Sequence, residues 1–486
     1  MYLGIDVGTS EVKALLLDGQ HRVIGTAGAP LGISRPHPGH SEQSPADWWT
    51  ATQSALAKLR SAHARAYAQV HAIGLSGQMH GAVLLDDRDR VLRPAILWND
   101  TRAAVQCEQL MAALPALPQI AGSLSMPGFT APKLRWIAQH EPAIFKQIRR
   151  VLLPKDFVRL QLTGGHVTDL SDASGTGWLD VQARRWSTEL LDLCELSVEQ
   201  MPRVVEGNAI GGQLTPRAAE SLGLRPGIPV AGGAGDNAAS AIGMGAVNAG
   251  DGFLSLGTSG VLFVVTPGYQ PGVEQATHAF CHAIPARWHQ MSVMLSAASC
   301  LQWVTKLVGA PSEAWLEAQA AALSAAQRMA SPIFLPYLSG ERTPHNDANV
   351  RGSFHGLSHD TDTAQLAYAV MEGVSFGLCD GLAALRGAGG VVQRLSLVGG
   401  GARSALWAQQ LASLLCIDIV THTHSTSGGA LGAARLAWMS TGVRVDDVCV
   451  APAVDRVFAP DPGEQPSLLA RYERFRKLYP TLHLQT

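Results

Sequence analysis

Apolar and polar positions alternate from the first residues of the chain. Tyr2–Val7 and Val12–Leu17 read as two strands, and Val23–Ala27, after an Asp18-Gly19 turn, as a third. The period then changes. Ser44-Pro-Ala-Asp-Trp is a helix start with proline at the first position, and the helical pattern runs to about Ala62. Val70–Leu75 is the next strand expected, ending at Gly77-Gln78-Met79-His80-Gly81. Val83–Leu85 and Ala95–Leu97 follow as short strands, the second running into Trp98-Asn99-Asp100. An apolar run at Val230 enters a glycine-rich turn that ends at Asp236, and small residues give a helix over Asn237–Met244.

The second half repeats this order. Gly252-Phe-Leu-Ser-Leu-Gly257-Thr258-Ser259-Gly-Val has the shape of Met1-Tyr-Leu-Gly-Ile-Asp6-Val-Gly8-Thr9-Ser10, and Val261–Val265 is its returning strand. Strands are expected at Trp288–Met294, Ile333–Leu338 and Leu395–Val398, the last running into Gly399-Gly400-Gly401-Ala402. Helices are expected at Ala297–Val308, Thr363–Ala388, 404–415 and 428–440. A chain of 486 residues exceeds one ordinary core. Two domains are therefore expected, 1–245 and 246–486, without a low-complexity linker between them.

Composition narrows the function. A formal net charge of −2 disfavours a nucleic-acid partner, whose phosphates call for a basic face. The basic run Arg471–Lys477 reads as the solvated face of a terminal helix. Seven scattered cysteines with no C-x-x-C pair suit a reducing compartment. Neither a signal peptide nor an uninterrupted membrane-length apolar run is visible, so a cytoplasmic protein with no membrane partner is expected. The oligomeric state stays open, a homodimer included.

Each Gly-Thr-Ser turn offers backbone N–H groups and two hydroxyls to a phosphate, and glycine permits close approach. Two such turns suggest two similar lobes holding one polyphosphate. Asp6, at the end of the first strand, either caps its turn or shares a magnesium ion with the phosphates, since two anions side by side repel. Asp236 is either a helix N-cap or a carboxylate aimed at substrate. The Gly399–Gly401 run is a wide turn or a place where backbone lies against adenine or ribose. His422 and His424 have the spacing of one strand face, but no further ligand in register makes them a metal pair. His278 and His282 read as polar positions near a strand, and Trp48 and Trp49 as packing residues.

Together these segments resemble the FGGY carbohydrate kinases. Gly128-Phe-Thr-Ala-Pro-Lys133-Leu-Arg-Trp136-Ile-Ala-Gln-His140 is similar to the first family signature. Gly352-Ser-Phe-His-Gly356-Leu followed by Gln365–Glu372 is similar to the second. The resemblance runs from Met1 to about Tyr479. It implies an α/β fold of two actin- and hexokinase-like, ribonuclease H-like domains with the ligands in the cleft, sugar on the first and ATP mainly on the second. It further implies that Asp236 is the catalytic base, with Asp6 the carboxylate near magnesium and the transferring phosphate.

On the same pattern Gly8, Thr9, Ser10, Gly257, Thr258 and Ser259 would hold phosphates, and Gly400, Gly401 and Ala402 adenosine. The loops Gly77–Gly81, Leu97–Asp100 and Leu335–His345 are similar to those of the D-xylulose-using members. Gln78, Met79, His80, Trp98, Asn99, Asp236 and Asn237 would then contact the sugar. Transfer of the γ-phosphate of MgATP to the 5-hydroxyl of D-xylulose is the activity implied; another ketose or polyol, or a non-catalytic nucleotide-binding protein, is the alternative. Two departures stand out: an extra small residue in Gly232-Gly-Ala-Gly-Asp236, and Glu11 where glycine is common.

Overall fold

The computed structural model describes residues 1–423 and 428–483; His424 lies outside them. The first sheet is built from β1 (Tyr2–Val7), β2 (Glu11–Leu17), β3 (Val23–Pro30), β4 (Ala72–Gly77), β5 (Ile210–Gln213), β6 (Pro229–Ala231) and β7 (Ala234–Gly235). Its order is β5-β6-β4-β1-β2-β3, with β7 extending the edge of β4. The second is built from β8 (Asp251–Leu256), β9 (Gly260–Thr266), β10 (His278–Cys281), β11 (Trp288–Met294), β12 (Arg394–Val398), β13 (Asp418–His422) and β14 (Val454–Phe458). Its order is β10-β11-β9-β8-β12-β13-β14.

The two sheets share one plan. In the first, β2 pairs antiparallel with β1 and β3, while β1 and β4 run parallel. In the second, β9 pairs antiparallel with β8 and β11, while β8, β12 and β13 run parallel. A hairpin followed by crossover strands therefore occurs twice, which is the ribonuclease H-like doubling the sequence implied. The central strands β1, β4, β8 and β9 are mostly apolar and buried because helices cover their faces.

Helix α1 (Pro45–Ala62) buries Trp48, Leu56 and Leu59 on the first sheet, and α2 (Pro154–Thr163) stands beside it. Helix α3 (Asp236–Met244) leads out of the first lobe. Helices α4 (Ala298–Leu307), α5 (Thr363–Gly387) and α6 (Ala405–Leu415) build the second core with Leu254, Phe334, Val374 and Trp407. Helix α5 is long and apolar enough to cross a membrane, but 89% of its most apolar window is buried inside the protein. All seven cysteines are free thiols.

Chain order and spatial order part at α7 (Gly428–Met439), which follows the last parallel strand of the second sheet yet packs on the first. A Cβ on Gly4 would lie 2.0 Å from Ala430 O, and one on Gly74 1.9 Å from Ala433 O. On its other side, a Cβ on Gly432 would lie 1.8 Å from Ala239 O of α3, and one on Gly243 2.4 Å from Gly428 O. Only hydrogen side chains permit this backbone-to-backbone approach. Arg435, 3% exposed, closes the seam by donating to the carbonyls of Ile242 and Gly243 at the end of α3. Helix α8 (Gln465–His483) finishes the second lobe, and its Arg471 is buried against Glu372 rather than solvated.

Candidate active site

The first Gly-Thr-Ser turn closes with the Gly8 N–H donating to Glu11 O at 3.1 Å. Gln78, expected to touch sugar, is 2% exposed and braces this turn from beneath. Its side chain accepts from Thr9 Oγ1 at 3.0 Å and donates to Gly8 O at 3.3 Å and Gln43 Oε1 at 2.9 Å. Trp98, 42% exposed, donates from Nε1 to Thr9 Oγ1 at 3.0 Å. Asn99 is exposed beside it.

The second turn is one residue tighter: Leu256 pairs with Gly260, whereas Val7 pairs with Val12. It rests on the start of α4, where Ala298 N–H donates to Gly257 O at 2.8 Å and Ser299 Oγ to Thr258 O at 2.7 Å. The register difference accounts for Glu11. Its counterpart Gly260 is packed against Leu378, Ala297 and Met294, but Glu11 has room to pair with Lys13 at 2.9 Å.

Asp6 is the register partner of Lys13 on β2 and Ser76 on β4, and the first turn of α7 lies over it. A Cβ on Gly429 would sit 2.8 Å from Asp6 Oδ2. Asp236 is the first residue of α3, with Gly235 as N-cap. The capping alternative therefore falls away, and Asp236 Oδ1 accepts from Asn237 N–H at 2.7 Å and Nδ2 at 3.0 Å.

Both carboxylates lie deep among protein atoms yet keep partial solvent access. Burial raises the pKa of Asp6, opposed by Ser76 and Lys13. Burial first, then the charge of Asp6, pushes Asp236 up to about 7, against the hydrogen bonds from Asn237. Two acids that feel each other in a cleft are the electrostatic pattern of a reactive centre that also takes a cation.

The loop Gly77–Gly81 is held from behind. His80 adopts a φ of 69° and stacks on Phe129 at 4.3 Å. Its carbonyl accepts from Lys133 Nζ at 3.0 Å and Thr130 Oγ1 at 3.1 Å. Residues of the first signature thus set the pose of His80. Its Nδ1 lies 2.6 Å from Gly175 O, an acceptor only, so Nδ1 carries the proton and Nε2 is left as an acceptor. Burial holds its pKa down at about 3, so the ring is neutral. Met79 packs its sulfur against Gly235, where a Cβ would be 2.8 Å away, next to Asp236.

A cavity of about 370 Å³ opens between the lobes, lined by Lys13, Ser240, Gly399, Gly400, Arg403 and Gly428 among others. Gly399, at φ 92°, makes the turn that aims the glycine run here. Gly400 faces the cavity, where a Cβ would meet only Arg403 Nη2 at 3.8 Å. Gly401 points the other way, its Cβ direction ending 2.5 Å from Leu256, and Ala402 packs on the second core. Of these three expected contacts, only Gly400 borders the cavity. Gly400→Val is accordingly expected to raise the KM for ATP about tenfold or more, with the sugar KM within about twofold. Equal rises in both constants, measured by varying each substrate, would contradict this placement.

Sequence reasoning passed over Lys13 and Arg403, the two cations beside the cavity. Lys13 had a signal, a charge within the apolar run Val12–Leu17.

Residues 1–243 match the model of the FGGY family of carbohydrate kinases, N-terminal domain, and residues 252–441 that of the C-terminal domain. The chain belongs to the FGGY carbohydrate kinases. It is therefore an enzyme that takes ATP as a substrate. It is 48% identical over 485 residues to the xylulose kinase of Escherichia coli (strain K12), covering 99% of both chains. A crystal structure of a xyloylose kinase from Brucella ovis is 50% identical, covers 100% of both chains and has a TM-score of 0.97. The xylulose kinase of Rhodospirillum rubrum is 30% identical, covers 99% of both chains and has a TM-score of 0.92.

Proposed function

We propose that this FGGY kinase transfers the γ-phosphoryl group of ATP to the 5-hydroxyl of D-xylulose. The observation that carries the reading is the Met79–His80 turn lying against Gly235-Asp236, in a chain similar over its whole length to xylulose kinases. Asp236 orients the hydroxyl and accepts its proton as the O–P bond forms. Phosphoryl transfer has a loose transition state, so placement and charge neutralisation dominate over base strength. The backbone amides of Thr9, Ser10, Thr258 and Ser259, with Lys13, face the charge that spreads over the phosphoryl oxygens. His80 Nε2 accepts from a sugar hydroxyl, and Trp98 and Asn99 border the same side.

The residues present suit magnesium. Asp6 Oδ1 has no hydrogen-bond partner among the described residues, and Asp236 beside it is strained by like charge. Magnesium is commonly held by one or two carboxylates, with waters and substrate phosphates completing its shell. Asp6 would hold it, and its charge would offset that of the phosphates. We place the lobe boundary near residue 245, with the lobes closing on the sugar and excluding water.

The test is a coupled assay of ADP release over D-xylulose, D-ribulose, L-ribulose, xylitol, glycerol and gluconate. D-xylulose is expected to lead in kcat/KM by about tenfold or more. A larger kcat/KM for any polyol or aldonate would overturn the assignment.

A further inference from the structure

The loop Tyr337–His345 reaches from the second lobe toward the sugar turn, and its backbone is pinned on both sides of Arg342. Glu341 Oε1 accepts from Arg342 N–H at 2.7 Å and Leu295 N–H at 3.0 Å. Glu341 and Asp347 exchange backbone hydrogen bonds at 2.8 Å. Thr343 N–H donates to Val293 O at 3.1 Å, and Thr343 Oγ1 to Ala276 O at 2.9 Å. Ala276 belongs to the apolar cluster that also holds Met79, Phe129 and Phe280 and so spans both lobes.

Among the described residues, Arg342 has no side-chain hydrogen bond or ion pair, although it is only half-exposed. Burial lowers its pKa and Glu341 partly offsets this. Its positive field reaches His80 and His278. Asp236 responds instead to Asp6. Thr343 bonds to Ala276, two residues before His278, whose ring lies 5.7 Å from Phe129, the ring on which His80 stacks at 4.3 Å, so Arg342 stands on the His80 side of the turn. A rigidly mounted cation with five donors and no acceptor calls for oxygen atoms to fill it.

We propose that Arg342 binds the keto end of the sugar, donating to the C2 carbonyl oxygen and the C1 hydroxyl oxygen, and thereby selects a 2-ketose over the matching polyol. The inference rests on the D-xylulose reading. With C5 at Asp236, an extended five-carbon chain carries C1 and C2 away from the base, toward His80 and Arg342. The carbonyl oxygen holds its two lone pairs in one plane and matches the planar fork of a guanidinium. A tetrahedral C2 hydroxyl does not match it, and carries a proton that a pure donor cannot accept. Arg342 stands on the opposite lobe from His80, so the sugar is held from both.

Arg342→Met keeps an unbranched apolar stem and removes every donor. The ratio of kcat/KM for D-xylulose to that for xylitol is expected to fall about tenfold or more, with the KM for ATP within about twofold. A second measurement uses 1-deoxy-D-xylulose. Removing the C1 hydroxyl and removing the guanidinium should be non-additive, because both delete the same bond. Equal losses on ketose and polyol, or additive losses in this cycle, would overturn the proposal whatever the melting temperature shows. A rise confined to the KM for ATP would do so too. If the parent enzyme prefers another ketose, the same comparison made with that ketose and its polyol tests Arg342 independently of the D-xylulose assignment.

Discussion

Asp236→Asn is expected to bind D-xylulose within a few-fold of the parent while turning over about 10²- to 10⁴-fold more slowly. The amide keeps the size of the carboxylate and its place at the start of α3, so the helix and the Met79 contact at Gly235 persist. It cannot accept the hydroxyl proton. Because burial and Asp6 raise the carboxyl to about 7, the base is protonated and idle below that pH and active above it. The kcat/KM of the parent should therefore rise through an acid limb near pH 7, and that limb should be missing from the residual rate of the variant. A variant with more than about a tenth of the parental kcat would remove Asp236 from the role of base.

Lys155→Met is expected to lower stability by about 3–5 kcal/mol, the scale for stripping one partner from a buried ion cluster. Lys155 Nζ lies 2.7 Å from Asp156, 2.9 Å from Asp169 and 2.9 Å from Asp172, and all four side chains are fully buried. The three carboxylates hold the ammonium charged, well above its ordinary range. Burial raises the pKa of Asp172, Lys155 opposes the rise, and Asp156 and Asp169 add to it. Two cations, Lys155 and Arg159, stand among the three carboxyl groups.

Methionine fills the space and leaves those carboxylates with one cation. A melting temperature lower by roughly 10 °C is the expected reading for a lobe of this size. Turnover should drop as well, because the cluster steers the strand before the base. Arg159 donates to Ala231 O and Gly232 O, and Gly235 N–H donates to Ser171 Oγ, itself bound to Asp169. An unchanged melting curve would mean that the three carboxylates relax to neutral at no cost. Adding Asp169→Asn to the variant should recover part of the loss.

What the sequence disclosed follows from what alternation and turns can encode. Both hairpins, α1, and the helix that starts at Asp236 were legible because strand period, proline at a helix start and glycine turns are local signals. The same locality limits the site. Within Gly400-Gly401-Ala402, which residue looks into the cavity depends on the short helical turn after β12, and no periodicity reports that direction. Gln78 sits beside Met79 and His80 in sequence but lies under the phosphate turn, since neighbours on a strand end face opposite sides. Arg342 carried no local mark, because no pattern along the chain shows whether a guanidinium meets a partner among the described residues. Nor could a residue pattern show that α7 crosses to the first sheet.

The seam between α3, α7 and the first sheet has a consequence of its own. At Gly4, Gly74, Gly243 and Gly432 the facing backbone is closer than any methyl group could stand, so alanine, the mildest replacement, is already one carbon too large. In a deep mutational scan these four positions should appear as a stripe of intolerance as severe as that at the base, although none of them touches a substrate. Exposed positions on the outer face of α1 should accept most residues. An activity-only screen would mark the stripe as catalytic. A parallel screen for folded protein would separate the two, because loss there tracks abundance, whereas Asp236→Asn should leave abundance intact.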